Sequence, residues 1–184
     1  MFRILYIFLI LSFFSPAFSS IKENIISQMK LTKNLSFNFT QTINDKEENG
    51  KCVVEYPKKI FCEYDGSKKK IIVSNGKSLV IKTANKNGYY IYPLYKTPLN
   101  FLLDKEYLIS KMKILKPREV SDRYINFTIL ENDNEINIFF NKKNLNLIGW
   151  QTEDIYQNLS ITFISSIEIN KKINNKIFIL PEHN

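Results

Sequence analysis

Apolar and polar residues alternate with a period of two along much of the chain, and the clearest stretch runs from Lys51 to Lys82. Alternation of this kind is typical of strands that bury one face. Three turn sequences interrupt the stretch, and the last of them contains Asn-Gly, a strong signal for a tight hairpin. The stretch therefore predicts a meander of four antiparallel strands, with turns at Tyr56-Pro57-Lys58-Lys59, Asp65-Gly66-Ser67 and Ser74-Asn75-Gly76-Lys77.

The same period occurs on both sides of the meander. It predicts a strand at 35–39 and further strands at 89–92, 124–129, 136–140, 145–147, 159–163 and 177–180. The charged stretch from Asp45 to Gly50 is predicted to be a hairpin loop. The chain therefore contains the strands of one large antiparallel sheet, ten or so in number.

Helical spacing is limited to short segments. Ile21, Ile25, Ile26 and Met29 share one face of a predicted helix over 21–31. A second helix is predicted to begin at Thr97-Pro98, with Thr97 as its N-cap and Pro98 at the first helical position. Asp104 is predicted to cap a further helical piece that continues to about Met112.

These elements predict a mainly β fold. A single antiparallel sheet of this size tends to curl, so we expect an incomplete β-barrel with the short helices as a lid over its concave face. We see no internal repeat and no linker, and residues 20–184 are therefore predicted to form one domain.

The parity of the first hairpin predicts which face is concave. Cys52, Val54 and Ile60 share one face, whereas the other carries Glu55 and Glu63. The carboxylates mark the second face as the solvent side. The apolar face is either an ordinary packed core or a wall of a cavity, and the small number of helical residues available to cover it favours a cavity.

Cys52 and Cys62 flank the turn at Pro57, and their pairing depends on the length of that turn. A three-residue loop centred on Pro57 places the two cysteines directly opposite each other, where a small adjustment allows a disulfide. A type I turn with Pro57 at its second position moves Cys62 towards a diagonal of Cys52, and bridging then requires distortion. Both arrangements are compatible with the sequence.

The N-terminus has the pattern of a secretory signal peptide. Arg3 precedes an apolar run from Ile4 to Phe14, and Pro16 and small residues follow, so we expect residues 1–19 to be removed after Ser19. The apolar run is shorter than the roughly 20 residues that span a bilayer.

The net charge is +8. We expect an exported, monomeric protein that binds no nucleic acid, because no recognition motif accompanies the charge.

The residues that would carry catalysis are scarce or dispersed. The chain has one histidine, His183, two cysteines and five glycines, and it contains neither a G-x-S-x-G motif nor a phosphate-binding glycine loop. Its carboxylates form no pair suited to acid–base chemistry. We therefore expect neither an enzyme nor a site for a metal or cofactor.

An ordered series of short motifs resembles the periplasmic outer-membrane lipoprotein carrier family, LolA. Phe39 and Gln41 match its F-x-Q, and Thr97-Pro98-Leu99 match its mid-chain helix start. The stretch 56–64 is similar to its R-P-x-x-x-R-W-x-Y hairpin and 72–77 to its I-V-S-D-G-K turn, and Leu147 to Trp150, Asp154 and 167–170 are similar to its late elements. Tyr56 and Cys62 stand where the family usually has Arg and Trp, and the family's Arg is associated with lid latching and partner exchange.

The resemblance implies a periplasmic carrier that holds the acyl chains of lipoproteins in a hydrophobic cavity and ferries them towards the outer membrane. Its implied partners are acylated lipoproteins, an inner-membrane lipoprotein-releasing transporter and an outer-membrane acceptor. The alternative is a periplasmic binding or sensor module of the same half-barrel fold that recognises a protein. We predict that the cavity is lined by Leu35, Phe37, Phe39, Val54, Tyr56, Ile60, Tyr64 and Leu79, and that the lid consists of Ile25, Met29, Leu99, Phe101 and Leu102.

Overall fold

The computed structural model describes residues 17–67, 69–84, 88–131, 134–153 and 157–181, with side chains from residue 21 onward. The first sixteen residues of the predicted signal peptide, Asp154 and His183 lie outside the described residues. Among the helices that are described, none has the length and apolar character needed to cross a membrane.

Eleven antiparallel strands among the described residues form one sheet. The strands are β1 Asn34–Ile43, β2 Lys46–Glu55, β3 Lys59–Tyr64, β4 Ile71–Asn75, β5 Ser78–Lys82, β6 Tyr89–Pro93, β7 Arg118–Val120, β8 Tyr124–Glu131, β9 Asn134–Asn141, β10 Leu147–Glu153 and β11 Leu159–Ile169. Their order across the sheet is β6-β5-β4-β3-β2-β1-β11-β10-β9-β8-β7. In the described residues the edge strands β6 and β7 do not pair with each other, so the sheet is an open half-barrel, as the alternation predicted.

In the part of the chain that the structure describes, three α-helices lie outside the sheet. They are α1 (Ala17–Leu31), α2 (Leu99–Leu102) and α3 (Lys105–Ile114). Asp104 caps α3, as predicted, because its side chain accepts a hydrogen bond from the backbone N–H of Tyr107 at 3.0 Å. Thr97 does not cap α2. Its hydroxyl donates to the carbonyl oxygen of Leu94 at 2.8 Å, and the N-cap position is occupied by Pro98.

Two further predictions about local structure are wrong. The stretch 45–50 is mostly strand, because β2 begins at Lys46 and pairs with β1 along its whole length. Charged residues are tolerated there because both faces of this end of the hairpin reach solvent. The stretch 177–180 is not a strand, since Asn175–Phe178 forms a 3₁₀ helix that buries Phe178.

Most of the buried hydrophobic side chains among the described residues form two clusters. One lies under α1 and α3 against β8 and β9, and it contains Ile25, Met112, Phe127 and Phe140. The other covers β1, β2 and β3 and contains Phe37, Val54, Ile60 and both cysteines. Leu99, Leu147 and Trp150 pack against both clusters, so the space between sheet and helices is bounded by both.

Candidate functional site

A cavity of about 340 Å³ lies between the concave face of the sheet and the helices. Its volume is within the range of sites that hold small organic ligands. The wall is almost entirely hydrocarbon, and its few polar groups, such as Lys105 and Asn170, belong to residues at the ends of the elements. Such a wall binds through non-directional apolar contact rather than through hydrogen bonds.

A second cavity of about 480 Å³ lies further along the same face. Its apolar part is formed by Phe39, Leu79 and the Cys52–Cys62 pair. Its other part is polar, because Gln41, Thr152, Ser160 and Thr162 share the concave side of β1, β10 and β11. The two cavities therefore differ in chemistry.

Three residues border both cavities: Ile60 of β3, Leu99 of α2 and Trp150 of β10. The Trp150 ring packs edge-to-face against Phe37, with the ring centroids 6.1 Å apart. Two of the three residues belong to the sheet, and the third belongs to a helix of four residues. The partition between the cavities therefore depends on where α2 lies.

All eight residues predicted to line a cavity border at least one of the two. Leu35, Phe37, Val54 and Tyr56 border the first, Phe39, Tyr64 and Leu79 border the second, and Ile60 borders both. They share this face because alternate residues of one strand point to the same side of a sheet. Their contact with a ligand stays a prediction.

The five predicted lid residues are divided between two environments. Met29, Leu99 and Leu102 border the first cavity. Ile25 is fully buried in the cluster under α1 and α3, and Phe101 packs on the Tyr107 ring at 5.1 Å between centroids. Ile25 and Phe101 therefore hold the helices in place and do not border either cavity.

Sequence reasoning missed the opposite wall of the first cavity. Side chains from β9, β10, β11 and the loop before β10 form it: Ile138, Phe140, Leu145, Leu147, Trp150, Ile167 and Ile169. Alternation in these strands was visible in the sequence. It could not show that β11 returns to pair with β1 and so brings this half of the sheet round to face the first.

Hydrogen bonds and ion pairs hold the helices over the sheet. The Lys105 ammonium donates to the carbonyl oxygens of Thr32 at 2.9 Å and Lys30 at 3.1 Å, which ties α3 to the end of α1. In the turn between β2 and β3, the Lys58 N–H donates to the Leu103 carbonyl oxygen at 2.8 Å. The Lys58 ammonium pairs with Asp104 at 3.3 Å. These few polar contacts are exposed in part, so they can be broken at modest cost.

Tyr56 lies beside these contacts. Its hydroxyl makes no hydrogen bond within the described part of the chain, and the Lys105 ammonium is 5.9 Å from its ring centroid. Desolvation by burial raises the pKa of Tyr56 to about 12. The residue is therefore neutral at physiological pH, and the cation at this junction is supplied by α3 and by the turn.

Cys52 and Cys62 are directly opposite each other on β2 and β3, and a disulfide joins them. Glu55 pairs with Lys59, so the connecting loop has three residues centred on Pro57. Of the two arrangements that the sequence left open, this is the one that brings the cysteines face to face. The disulfide forms part of the wall of the second cavity.

Gly50 allows two aromatic rings to close over β2. A Cβ at this position would lie 2.2 Å from the carbonyl oxygen of Glu63 and 2.8 Å from the Phe39 ring. Phe39 and Tyr64, the partners of Gly50 on the two neighbouring strands, contact each other edge-to-face at 4.8 Å. The missing side chain therefore shapes the wall of the second cavity.

Within the described residues, no cluster of histidine, cysteine and carboxylate side chains could hold a metal ion. The site offers a hydrocarbon wall and a small polar patch. Comparison with known proteins assigns the protein to a family. The family model described as outer membrane lipoprotein carrier protein LolA matches residues 30–180. The chain belongs to the LolA family. At the level of the family, LolA proteins are periplasmic carriers rather than enzymes.

The solved structures to which the LolA-family chain is similar have little sequence in common with it. A conserved protein from Thermus thermophilus superposes with a TM-score of 0.52 at 7% identity, covering 89% of this chain and 94% of that one. An outer membrane lipoprotein-sorting protein domain from Vibrio parahaemolyticus gives a TM-score of 0.48 at 6% identity, with 84% and 94% covered. A LolA superfamily protein from Nitrosomonas europaea gives 0.44 at 10% identity, with 86% and 97% covered. No curated protein matches the sequence. At 7% identity, the superposition on the Thermus thermophilus protein shows a similar fold and nothing further.

Proposed function

We propose that this LolA-family protein is a periplasmic carrier that holds the acyl chains of lipoproteins between its sheet and its helices and takes them towards the outer membrane. The observation that supports this most directly is the first cavity, which has a hydrocarbon wall on the concave face of the sheet. We propose that the eight wall residues predicted from the sequence contact the acyl chains, and that Met29, Leu99 and Leu102 cover them.

The energetics of the crossing explain why a cavity is needed. Exposing a 16-carbon acyl chain to water costs on the order of 10 kcal/mol, at about 0.8 kcal/mol for each CH₂ group. A carrier must offset most of that cost and still release its cargo. Apolar contact meets both needs, because its strength follows the area covered and falls when the helices move away.

The lid is suited to such movement. Helix α2 has only four residues. The ion pair between Lys58 and Asp104 and the hydrogen bond from Lys105 to the Thr32 carbonyl oxygen hold the helices near the sheet. We propose that the carrier is a monomer which is exported by its signal peptide and works as a single domain over residues 20–184. Loading by an inner-membrane lipoprotein-releasing transporter and delivery to an outer-membrane acceptor complete the proposal.

Mass spectrometry of the protein purified from the periplasm tests this function. We expect a 1:1 complex with an acylated lipoprotein, and we expect the purified protein to extract a triacylated lipoprotein from membranes. A protein that is recovered free of lipid and leaves the lipoprotein in the membrane would contradict the proposal. Recovery of a stable complex with a protein that carries no acyl chain would favour the binding or sensor module instead.

A further inference from the structure

The polar part of the second cavity is built from three neighbouring strands. In the register of the sheet, Gln41 on β1 lies opposite Thr162 on β11, and Thr162 lies opposite Trp150 on β10. Two pairs further along, and so on the same face of the sheet, Ser160 lies opposite Thr152. Hydroxyl groups thus cluster on the concave face, one step beyond the tryptophan that separates the two cavities.

The hydrogen bonds in this cluster leave hydroxyl donors available. The Gln41 amide donates to Ser160 Oγ and to Thr162 Oγ1, each at 3.2 Å, and the Tyr64 hydroxyl donates to Gln41 Oε1 at 3.0 Å. Because the oxygens of Ser160 and Thr162 act as acceptors, their own hydroxyl protons remain free to point into the cavity.

Thr152 differs from its neighbours in the cluster. Its side chain makes no hydrogen bond to any residue that the structure describes, although only 7% of the residue is exposed and it borders the cavity. The Thr152 oxygen is not among the side-chain atoms that are fully buried without a partner, so it reaches the cavity space, where a ligand group can hydrogen-bond to it. The hydroxyl of Thr152 is therefore a position at which a ligand gains a hydrogen bond.

The charges at this end favour an uncharged ligand group. The Lys70 ammonium is paired with Glu48 and lies 3.6 Å from the Tyr64 ring centroid, so it is already engaged. Glu153 also borders the cavity. A carboxylate would be repelled by Glu153, whereas a neutral carbonyl oxygen can accept from the hydroxyl donors.

From these contacts we infer that the second cavity is a separate subsite for one acyl chain linked through an ester or amide. The carbonyl oxygen accepts a hydrogen bond from Thr152, and the hydrocarbon runs along Phe39, Leu79 and the disulfide towards Trp150. The inference rests on the proposed function only for the idea that the concave face holds acyl chains. Two sources supply an acyl chain of this chemistry: the lipoprotein cargo and a free neutral lipid.

Trp150 provides the test, because it is the only tryptophan in the chain and borders this cavity. It lies two positions from Thr152 on the same face, about 7 Å along the strand. We expect a monoacylglycerol with a brominated acyl chain to quench its fluorescence saturably. Thr152→Val should weaken that binding about fivefold by removing one hydrogen bond. Thr152→Ser, which keeps the hydroxyl, is the matched control and should bind like the wild type.

Several results would overturn the subsite. Unchanged affinity in Thr152→Val would place the acyl chain in the first cavity alone. An absence of quenching would show that the acyl chain does not approach Trp150, which lies between the two cavities. Tighter binding of the brominated free fatty acid at neutral pH than of its monoacylglycerol would contradict the assignment of a neutral carbonyl. Circular dichroism of both variants establishes that each is folded.

Competition with a triacylated lipopeptide distinguishes the two sources. Displacement of the brominated lipid assigns the subsite to a chain of the cargo, and simultaneous binding assigns it to a separate neutral lipid. Failure of the carrier proposal would be seen in the membrane extraction assay, whereas quenching depends on the purified protein and the brominated lipid alone. The two proposals therefore fail in different experiments.

Discussion

The Lys105 ammonium donates a hydrogen bond to the carbonyl oxygen of Thr32 at 2.9 Å, and this contact joins α3 to the end of α1. A second bond to the Lys30 carbonyl, at 3.1 Å, satisfies another of the acceptors that a helix C-terminus leaves without an internal partner. One side chain therefore holds two helices together at the rim of the first cavity.

Lys105→Met should loosen this junction while keeping most of the apolar stem. We expect the free energy of unfolding to fall by about 1–2 kcal/mol, because two hydrogen bonds to a charged group are lost in a partly exposed place. Urea denaturation measures the loss, and amide hydrogen exchange should quicken at the C-terminal end of α1. Lys113→Met on the exposed side of the same helix is the control. An equal effect of both variants would mean that the junction does not depend on Lys105.

Leu99→Glu would place a carboxylate at the partition between the two cavities. We expect uptake of acylated lipopeptide to fall at least tenfold, because a buried charge without a partner disfavours hydrocarbon beside it. Leu99 is half-buried, so the fold should tolerate the change better than a glutamate at Leu102, which belongs to the core cluster under α1 and α3. Uptake is measured by co-purification with the lipopeptide.

Asn100→Glu is the matched control for that variant, since it adds the same charge to the same helix at a position that borders neither cavity. We expect it to take up lipopeptide like the wild type. If both glutamates reduced uptake equally, the effect would come from the charge on the lid and not from the wall of the cavity.

Cys52→Ala combined with Cys62→Ala should lower the free energy of unfolding by about 2–3 kcal/mol. The disulfide closes a loop across ten positions, and opening it returns conformational freedom to the unfolded chain. Urea denaturation with and without reductant checks the value. The wild type in reductant should approach the double variant, and a variant as stable as the oxidised wild type would show that the bond contributes nothing.

Tyr56 should make stability depend on pH in the alkaline range. Its folded-state pKa of about 12 exceeds the ordinary value of 10.0, because burial disfavours the phenolate. The contribution of neutral Tyr56 to the free energy of unfolding is therefore complete below pH 10, and it is lost as pH rises from 10 to 12. Denaturation across this range should show a steeper decline for the wild type than for Tyr56→Phe. Tyr95→Phe, at an exposed position, should keep the wild-type slope.

Local patterns in the sequence predicted most of the sheet, because alternation reports directly on a strand with one buried face. The prediction failed where tertiary context decides. The polar stretch at Glu47 and Glu48 is strand because β1 lies beside it, and Ile177 and Phe178 form a 3₁₀ helix although they are apolar enough for a strand.

In the candidate site, too, local patterns predicted some residues and missed those whose position depends on tertiary context. Val54, Tyr56 and Ile60 could be assigned to the wall from the parity of one hairpin. Trp150 and Thr152 could not, because their position opposite that hairpin depends on the pairing of β1 with β11, which are separated by more than a hundred residues. No local pattern carries that information.

The pairing of β1 with β11 also determines when the fold can close. The central strand of the sheet gains its second neighbour only when the distant segment that ends at residue 169 reaches it, whereas each wing is a meander of sequential neighbours. Pairing across so long a stretch of chain is slow, because the entropy of loop closure is lost before the contact forms. Until then the chain presents an open strand and an apolar face together, so its exposure to aggregation is set by the slow arrival of a single distant segment.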